Sequence, residues 1–322
     1  RGVKEDKKNA VVLFQQAAEM DHVKGMVGLA LCFENGKGVS LDKQKATHWF
    51  EKAAEMGNSS AMNFLALNLD DEAEEIQNKK RSFQLLRAAA DMGSASAMAH
   101  LAAMHDKGDA GPQNKSKAIA LCQTACAMGS TDAMVNQAIC YLGQGDSQAK
   151  KKAFDLLQCA SQKGNSEGTF NLGICYMEGD GTTQDTKKAI EMFQKASEMG
   201  NTKAMVNLAL FYQDGFGVEK VPKKAFELLQ RASDLNDKMG LLYLADCYFQ
   251  GYQVQLNYTK AFELYSKSAE MGCIEAMVQL GCCFGQGLGT TEDKEKWFEL
   301  FKRASDLGNA TATFNLGLCY IR

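Results

Sequence analysis

Nine positions recur along the chain at a nearly fixed interval: Asp21, Gly57, Gly93, Gly129, Gly164, Gly200, Asn236, Gly272 and Gly308. Seven of the eight intervals are 36 residues, and the one ending at Gly164 is 35. A unit this short cannot bury its own apolar face, so it has to stack on its neighbours. The period therefore predicts a file of stacked units that share a continuous core.

Each unit reads as two helices. Before an anchor runs an amphipathic segment. In the copy ending at Gly200, the apolar residues Ala189, Met192, Phe193, Ala196 and Met199 fall on one helical face. The anchor stops this helix, here named B, because glycine enters the left-handed region without a Cβ clash. Asp21 and Asn236 belong to the types that tolerate that region next best. Fifteen residues before an anchor stand Asp42, Asn78, Asn114, Asp185, Asn257 and Asp293, side chains suited to cap the start of B. In another copy Pro222 suits the first helical position. After the anchor a second helix, A, carries leucine at position eight in every copy except that of Gln137. Position nine is always small, from Ala30 to Gly317. Large beside small lets neighbouring helices interlock. An aromatic usually follows at twelve, then a glycine-containing turn such as Gly36-Lys37-Gly38.

The pattern Gly36-Lys37-Gly38-Val39, Lys45-Ala46, Trp49-Phe50, Ala53-Ala54, Gly57 returns with variation over essentially the whole chain. It resembles the Sel-1-like repeat family. That resemblance implies an all-α fold, an α/α superhelical solenoid related to tetratricopeptide arrays, and an adaptor role in protein complexes. On this reading 1–322 is a single domain. Helix B stands alone over 1–21, and complete units span 22–57, 58–93, 94–129, 130–164, 165–200, 201–236, 237–272 and 273–308. Helix A stands alone over 309–322. Two copies depart from the pattern. One replaces its glycine turn with Asp70-Asp71-Glu72-Ala73-Glu74-Glu75, which reads as a solvated turn or as a dock for a basic partner. The copy ending at Gly164 has lost one turn residue near Gly145. The chain opens and closes in mid-pattern, and Leu316, Leu318 and Ile321 would need a further helix to cover them, so it reads as part of a longer protein.

Charge and composition narrow the function. The chain has 36 basic and 39 acidic residues, a net charge of −3. With no basic excess to neutralise phosphates, a nucleic-acid partner is not expected. No run of about 18 apolar residues occurs, so no membrane span is expected. Of the eleven cysteines, six share the slot eleven after an anchor: Cys32, Cys140, Cys175, Cys247, Cys283 and Cys319. Stacked helices lie about 8–10 Å apart, whereas a disulfide needs Cα atoms within about 7 Å. These thiols read as small buried hydrophobes, which favours a cytoplasmic setting. Secreted relatives staple helix A to helix B with paired cysteines, an arrangement missing here.

Cys122 and Cys126, with His100 and His105 on the preceding helix, include zinc-ligand types. The set occurs once, and Cys126 fills a slot that is elsewhere Ala or Ser, so neither a metal nor another cofactor is expected. His22 and His48 have no acid or nucleophile at a recognisable spacing, and no glycine run ends in a phosphate-binding Lys-Ser/Thr. The chain is not expected to be an enzyme.

A partner site is sought on helix A. On a helical wheel, offsets three, seven, ten and fourteen lie opposite the side that meets helix B, and in relatives that side lines the concave surface. Offset seven reads Phe64, His100, Asn136, Asn171, Asn207, Tyr243, Gln279 and Asn315. Offset ten is mostly apolar, with Leu31, Leu67, Ile139, Ile174, Leu210 and Leu318. Primary amides both donate and accept. A ladder of them beside an apolar stripe suits a peptide or an amphipathic helix. The candidate partner-binding residues are Asn136, Asn171, Asn207, Tyr243, Gln279, Asn315, Ile174 and Leu210. The competing reading is that the stripe joins helix A to helix A and that the amides bond between units.

The expected function is a noncatalytic scaffold that binds other proteins within a multi-subunit complex. One alternative is an adaptor of a ubiquitin ligase in the ER lumen, as some members of the family are. Glycosylation sequons beginning at Asn58, Asn114, Asn257 and Asn309 fit that setting, although three of these asparagines also occupy structural slots, Asn114 and Asn257 as caps of B and Asn58 after an anchor. Another is a regulatory array attached to a larger enzyme such as a kinase.

Overall fold

The computed structural model describes residues 6–71, 76–109 and 111–321, with side chains for all of these except 70, 71, 76 and 318–321. The acidic run at 70–75 and the side chains of Leu318, Cys319, Tyr320 and Ile321 lie outside that description. Among the described residues the chain forms eighteen α-helices and no strand. It is the all-α solenoid that the period implies.

The chain divides into two compact units, 1–168 and 169–322, the second opening inside the tenth helix. In the first, B and A helices alternate as α1 (Lys7–Glu19), α2 (Val23–Asn35), α3 (Lys43–Glu55), α4 (Ser59–Asp71), α5 (Ile76–Asp91), α6 (Ala95–Lys107), α7 (Lys115–Ala127), α8 (Thr131–Leu142) and α9 (Ser147–Gln162). Then come α10 (Ser166–Glu178), an A helix, and α11 (Thr186–Glu198), α12 (Thr202–Asp214), α13 (Pro222–Asp234) and α14 (Lys238–Gln250). The alternation closes with α15 (Tyr258–Glu270), α16 (Ile274–Gln286), α17 (Lys294–Asp306) and α18 (Ala310–Ile321).

Each B-to-A corner is made by its anchor. Gly57 has φ +80°, its N–H donates to the carbonyl of Ala54 at 2.9 Å, and Asn58 N–H donates to that of Ala53 at 3.1 Å. That pair of bonds satisfies the last carbonyls of α3. Asp21 and Asn236 adopt the same left-handed conformation, at φ 57° and 55°.

B helices start where the spacing predicts in most copies. The side chains of Asp42, Asn114, Asp185, Asn257 and Asp293 each accept a backbone N–H three residues on, at 3.0 Å. Two copies differ. Asn78 lies inside α5, which begins at Ile76, so it is not a cap. The helix α9 begins at Ser147, capped by Asp146 through Ala149 N–H at 2.8 Å. The lost turn residue explains this start. Gly143 remains right-handed after α8, with φ −65°, and the shortened link leaves only a few residues before B resumes.

Packing between paired helices follows the large-beside-small rule. A Cβ added at Gly173 would lie 2.7 Å from the Phe193 ring, so that ring occupies the space a side chain would take. The aromatic slot has a partner too. Lys45, Lys152, Lys188, Lys224, Lys260 and Lys296 lie over the rings of Phe33, Tyr141, Tyr176, Tyr212, Tyr248 and Phe284, at 4.6–5.6 Å from the centroids. Each such contact ties the start of one helix to the end of the helix before it.

Core side chains vary in size along the chain, and in the first unit Phe50 stacks on Phe64 at 5.2 Å. Around α6, α7 and α8 the buried contacts include Ala102 with Ala118 and Cys122, and Ala99 with Ala125 and Ala133, beside Leu101 and Met104. In the second unit Phe193 meets Phe170 and Phe211 at centroid distances of 5.5 and 5.8 Å. A continuous cluster runs on from Met205 through Tyr265 and Phe301 to Ala312.

Candidate functional site

In the first unit the polar residues of the A helices bond to one another. Asn136 Nδ2 on α8 donates to the carbonyl of Ala99 on α6 at 2.9 Å. His100 Nδ1 on α6 lies 2.8 Å from Asn63 Oδ1 on α4. These side chains tie α8 to α6 and α6 to α4. Asn136 also borders a pocket of about 180 Å³ with Ala102, Ala103, Asp106 and Cys140.

In the second unit three of the eight candidates come together. Asn207 and Leu210 on α12 and Tyr243 on α14 line a groove of about 280 Å³ with Phe170, Lys203, Val206, Asp237 and Met239. Asn207 is half-buried and makes no hydrogen bond among the described residues. Asn171 and Ile174 on α10, Gln279 on α16 and Asn315 on α18 do not line this groove. Gln279 is exposed, and the other three are half-buried.

The polar groups of the groove are unequal. Asp237 is already engaged: its side chain accepts Met239 N–H at 3.0 Å, Gly240 N–H at 2.8 Å and the Thr202 hydroxyl at 2.7 Å. Burial raises the Tyr243 phenol above its ordinary pKa, and Asp246, Glu275 and Cys273 raise it further, so the hydroxyl stays a neutral donor. The volume lies just under the range of small-molecule sites, about 300–1,000 Å³. An apolar floor, a free amide and a phenol suit the side chains and backbone of a docked polypeptide.

The other candidate chemistry does not assemble. Cys126 Sγ lies 3.3 Å from Gln137 Oε1, and His105 packs edge-on against Phe83 at 5.3 Å. Among the described residues no group of three or more His, Cys, Asp or Glu is placed to hold a metal ion. The ten described cysteines are free thiols. Burial pushes Cys122 and Cys175 up to about 12, and Cys247 and Cys283 to about 11, so these thiols stay protonated at neutral pH. All four sequon asparagines cap helices: Asn58, Asn114, Asn257 and Asn309 accept the N–H groups of Ala61, Lys117, Lys260 and Ala312. Among the described residues no helix is long and apolar enough to cross a membrane.

Nine consecutive segments match the family model described as Sel1 repeat: 1–22, 23–58, 59–94, 95–130, 131–165, 166–201, 202–237, 239–273 and 274–309. The chain belongs to the Sel1-repeat family. Each Sel1 segment ends one residue past an anchor, on the residue that opens the next A helix. Sel1-repeat proteins generally mediate protein–protein interactions.

Solved structures agree on the fold. A Sel1 repeat protein from Oxalobacter formigenes is 21% identical, with 99% of this chain and 98% of that one covered and a TM-score of 0.61. Yeast Tom70 is 14% identical over 87% of this chain and 60% of that one, with a TM-score of 0.54. An immunity protein from Pseudomonas aeruginosa is 17% identical over 67% of this chain and 82% of that one, with a TM-score of 0.53. At these identities the likeness speaks for the fold alone. No curated protein matches the sequence.

Proposed function

We propose that this Sel1-repeat chain is a noncatalytic adaptor within a multi-subunit protein complex, and that it holds a segment of a partner protein in the groove between α10, α12 and α14. The observation that carries this reading is the lining of that groove. Phe170, Val206, Leu210 and Met239 give an apolar floor, while the Asn207 amide and the Tyr243 hydroxyl stand beside it. A polypeptide docking there finds contact for an apolar side chain and hydrogen bonds for its backbone. The family's general role in protein association supports the same conclusion.

The test uses phage-displayed random dodecapeptides selected on the immobilised chain, with affinities of synthetic winners measured by fluorescence anisotropy. Asn207→Ala and Leu210→Glu should each weaken the winners by about tenfold or more, the loss expected for a residue central to an interface. Their urea midpoints should stay close to that of the parent. Ile139→Glu, on the A helix α8 of the first unit, should change nothing. Winners that ignore both groove variants would overturn the proposal.

A further inference from the structure

Asp246 on α14 stands in the stripe position that Ile174, Leu210, Cys282 and Leu318 occupy in the sequence of the other A helices of the second unit. Its Oδ1 accepts the hydroxyl of Tyr265 at 2.5 Å. Tyr265 on α15 is only 1% exposed and fills the slot that Phe193 and Phe301 fill on other B helices. A buried phenol needs an acceptor, and Asp246 provides one. An asparagine would provide one equally well. The aspartate therefore adds something that the core does not use, a negative charge.

That charge has no counter-ion among the described residues. Among the described residues Asp246 makes no ion pair, and its one hydrogen bond is to Tyr265. The residue is half-buried, and burial raises its pKa above the ordinary carboxylate value while the Tyr265 bond opposes the rise. A partly desolvated carboxylate without a cation is unfavourable. One helical turn away on the same helix, Tyr243 lines the groove, and residues three apart on a helix are neighbours. The apolar floor and the unpaired acid thus lie side by side.

We propose that the segment docking here presents a lysine or arginine next to a bulky apolar residue, the apolar side chain entering among Phe170, Val206, Leu210 and Met239 and the cation pairing with Asp246. This rests on the groove reading above and adds the chemistry of the occupant.

The dodecapeptides selected on the chain test it. Winners sensitive to Leu210→Glu should be enriched in Lys or Arg beside an apolar residue. Asp246→Asn keeps an acceptor for Tyr265 while removing the charge, so the fold should hold and affinity should fall about tenfold, a loss within the range of close interfacial charge pairs. Exchanging the peptide's basic residue for norleucine should cost a similar factor, and combining both changes should cost little more than either alone. If Asp246→Asn loosens the fold, the pair Asp246→Ile with Tyr265→Phe reproduces the Ile174 and Phe193 combination of the copy over 165–200 and removes the same charge. Winners that need Leu210 but lack a basic residue, or that bind the uncharged variants as tightly as the parent, overturn this inference and leave the groove standing. Winners indifferent to Leu210→Glu, or no winners at all, overturn both.

Discussion

The two units share one period but use their A helices differently. In the first, Asn136 and His100 bond to the preceding A helix, and the core around α7 is made of alanines and Cys122. In the second, Asn207 makes no hydrogen bond among the described residues and stands above a groove, and the B-helix slot of Cys122 holds Phe193, Leu229, Tyr265 and Phe301, as it holds Phe50 in another copy of the first unit. Helix caps and anchors are common to both units, so they set the pairing of helices. The B-slot side chain varies in volume from copy to copy, and the bonding of one amide is what differs between α8 and α12. A repeat can therefore keep its backbone while it trades cohesion between helices for an open surface.

The sharpest way to break this comparison is to empty the slot in each unit. Phe193→Ala removes a ring that is 1% exposed and should cost about 4 kcal/mol in urea unfolding. Cys122→Ala removes little more than one atom and should cost about 1 kcal/mol. Equal losses would show that the aromatic site of Phe193 is no firmer than the alanine-lined site of Cys122. Next come the turn glycines. A Cβ at Gly289, φ +74°, would lie 2.1 Å from the carbonyl oxygen of Tyr258, whereas one at Gly145, φ +78°, meets nothing within 4 Å. Gly289→Ala should therefore cost about 3 kcal/mol in thermal or urea unfolding, against about 1–2 for Gly145→Ala, where only the left-handed backbone opposes the change.

Smaller effects sharpen the contrast between amides. Asn136→Ala loses its bond to Ala99 and should cost about 1 kcal/mol. Asn207→Ala should leave the urea midpoint almost unchanged. A reversed order would mean that the second unit spends its amide on cohesion after all. The smallest effect is common to both units. Backbone N–H bonds hold Asp42, Asp185 and Asp293 below their ordinary pKa of 3.8. Their capping contribution is thus fully present above that value and is lost as pH falls through the lower folded values. Changing all three to Asn should flatten the acid limb of a stability–pH curve, with Asn114 and Asn257 already acting as uncharged caps.

Much of this architecture was legible because it is local. An anchor acts through one left-handed residue, and a cap through one side chain and an amide three residues on. Asn78 misled because the copy it belongs to starts its helix earlier, at Ile76, which spacing alone does not show. One column was readable and missed. The residues after the anchors, including Asn58, Ser94, Ser130, Asn201 and Asp237, cap the A helices. Their recurrence as Asn, Ser and Asp was the signal. The candidate site was legible only as a face. Asn136 and Asn207 occupy equivalent offsets, and what separates them is that Asn136 donates to the Ala99 carbonyl while Asn207 makes no hydrogen bond among the described residues. Asp246 was missed because the stripe was read by its majority of apolar residues, and its reason lies on another helix, in the Tyr265 hydroxyl.

The corner bonds have a consequence for how the chain comes into being. Gly57 and Asn58 close their hydrogen bonds on carbonyls of the helix just completed, and the ammonium–ring contacts likewise join consecutive helices. No helix has to wait for a distant stretch of sequence. Assembly starts wherever a first pair meets and spreads to either side. A ribosome releasing this protein would hand over each hairpin already able to settle on the one before it.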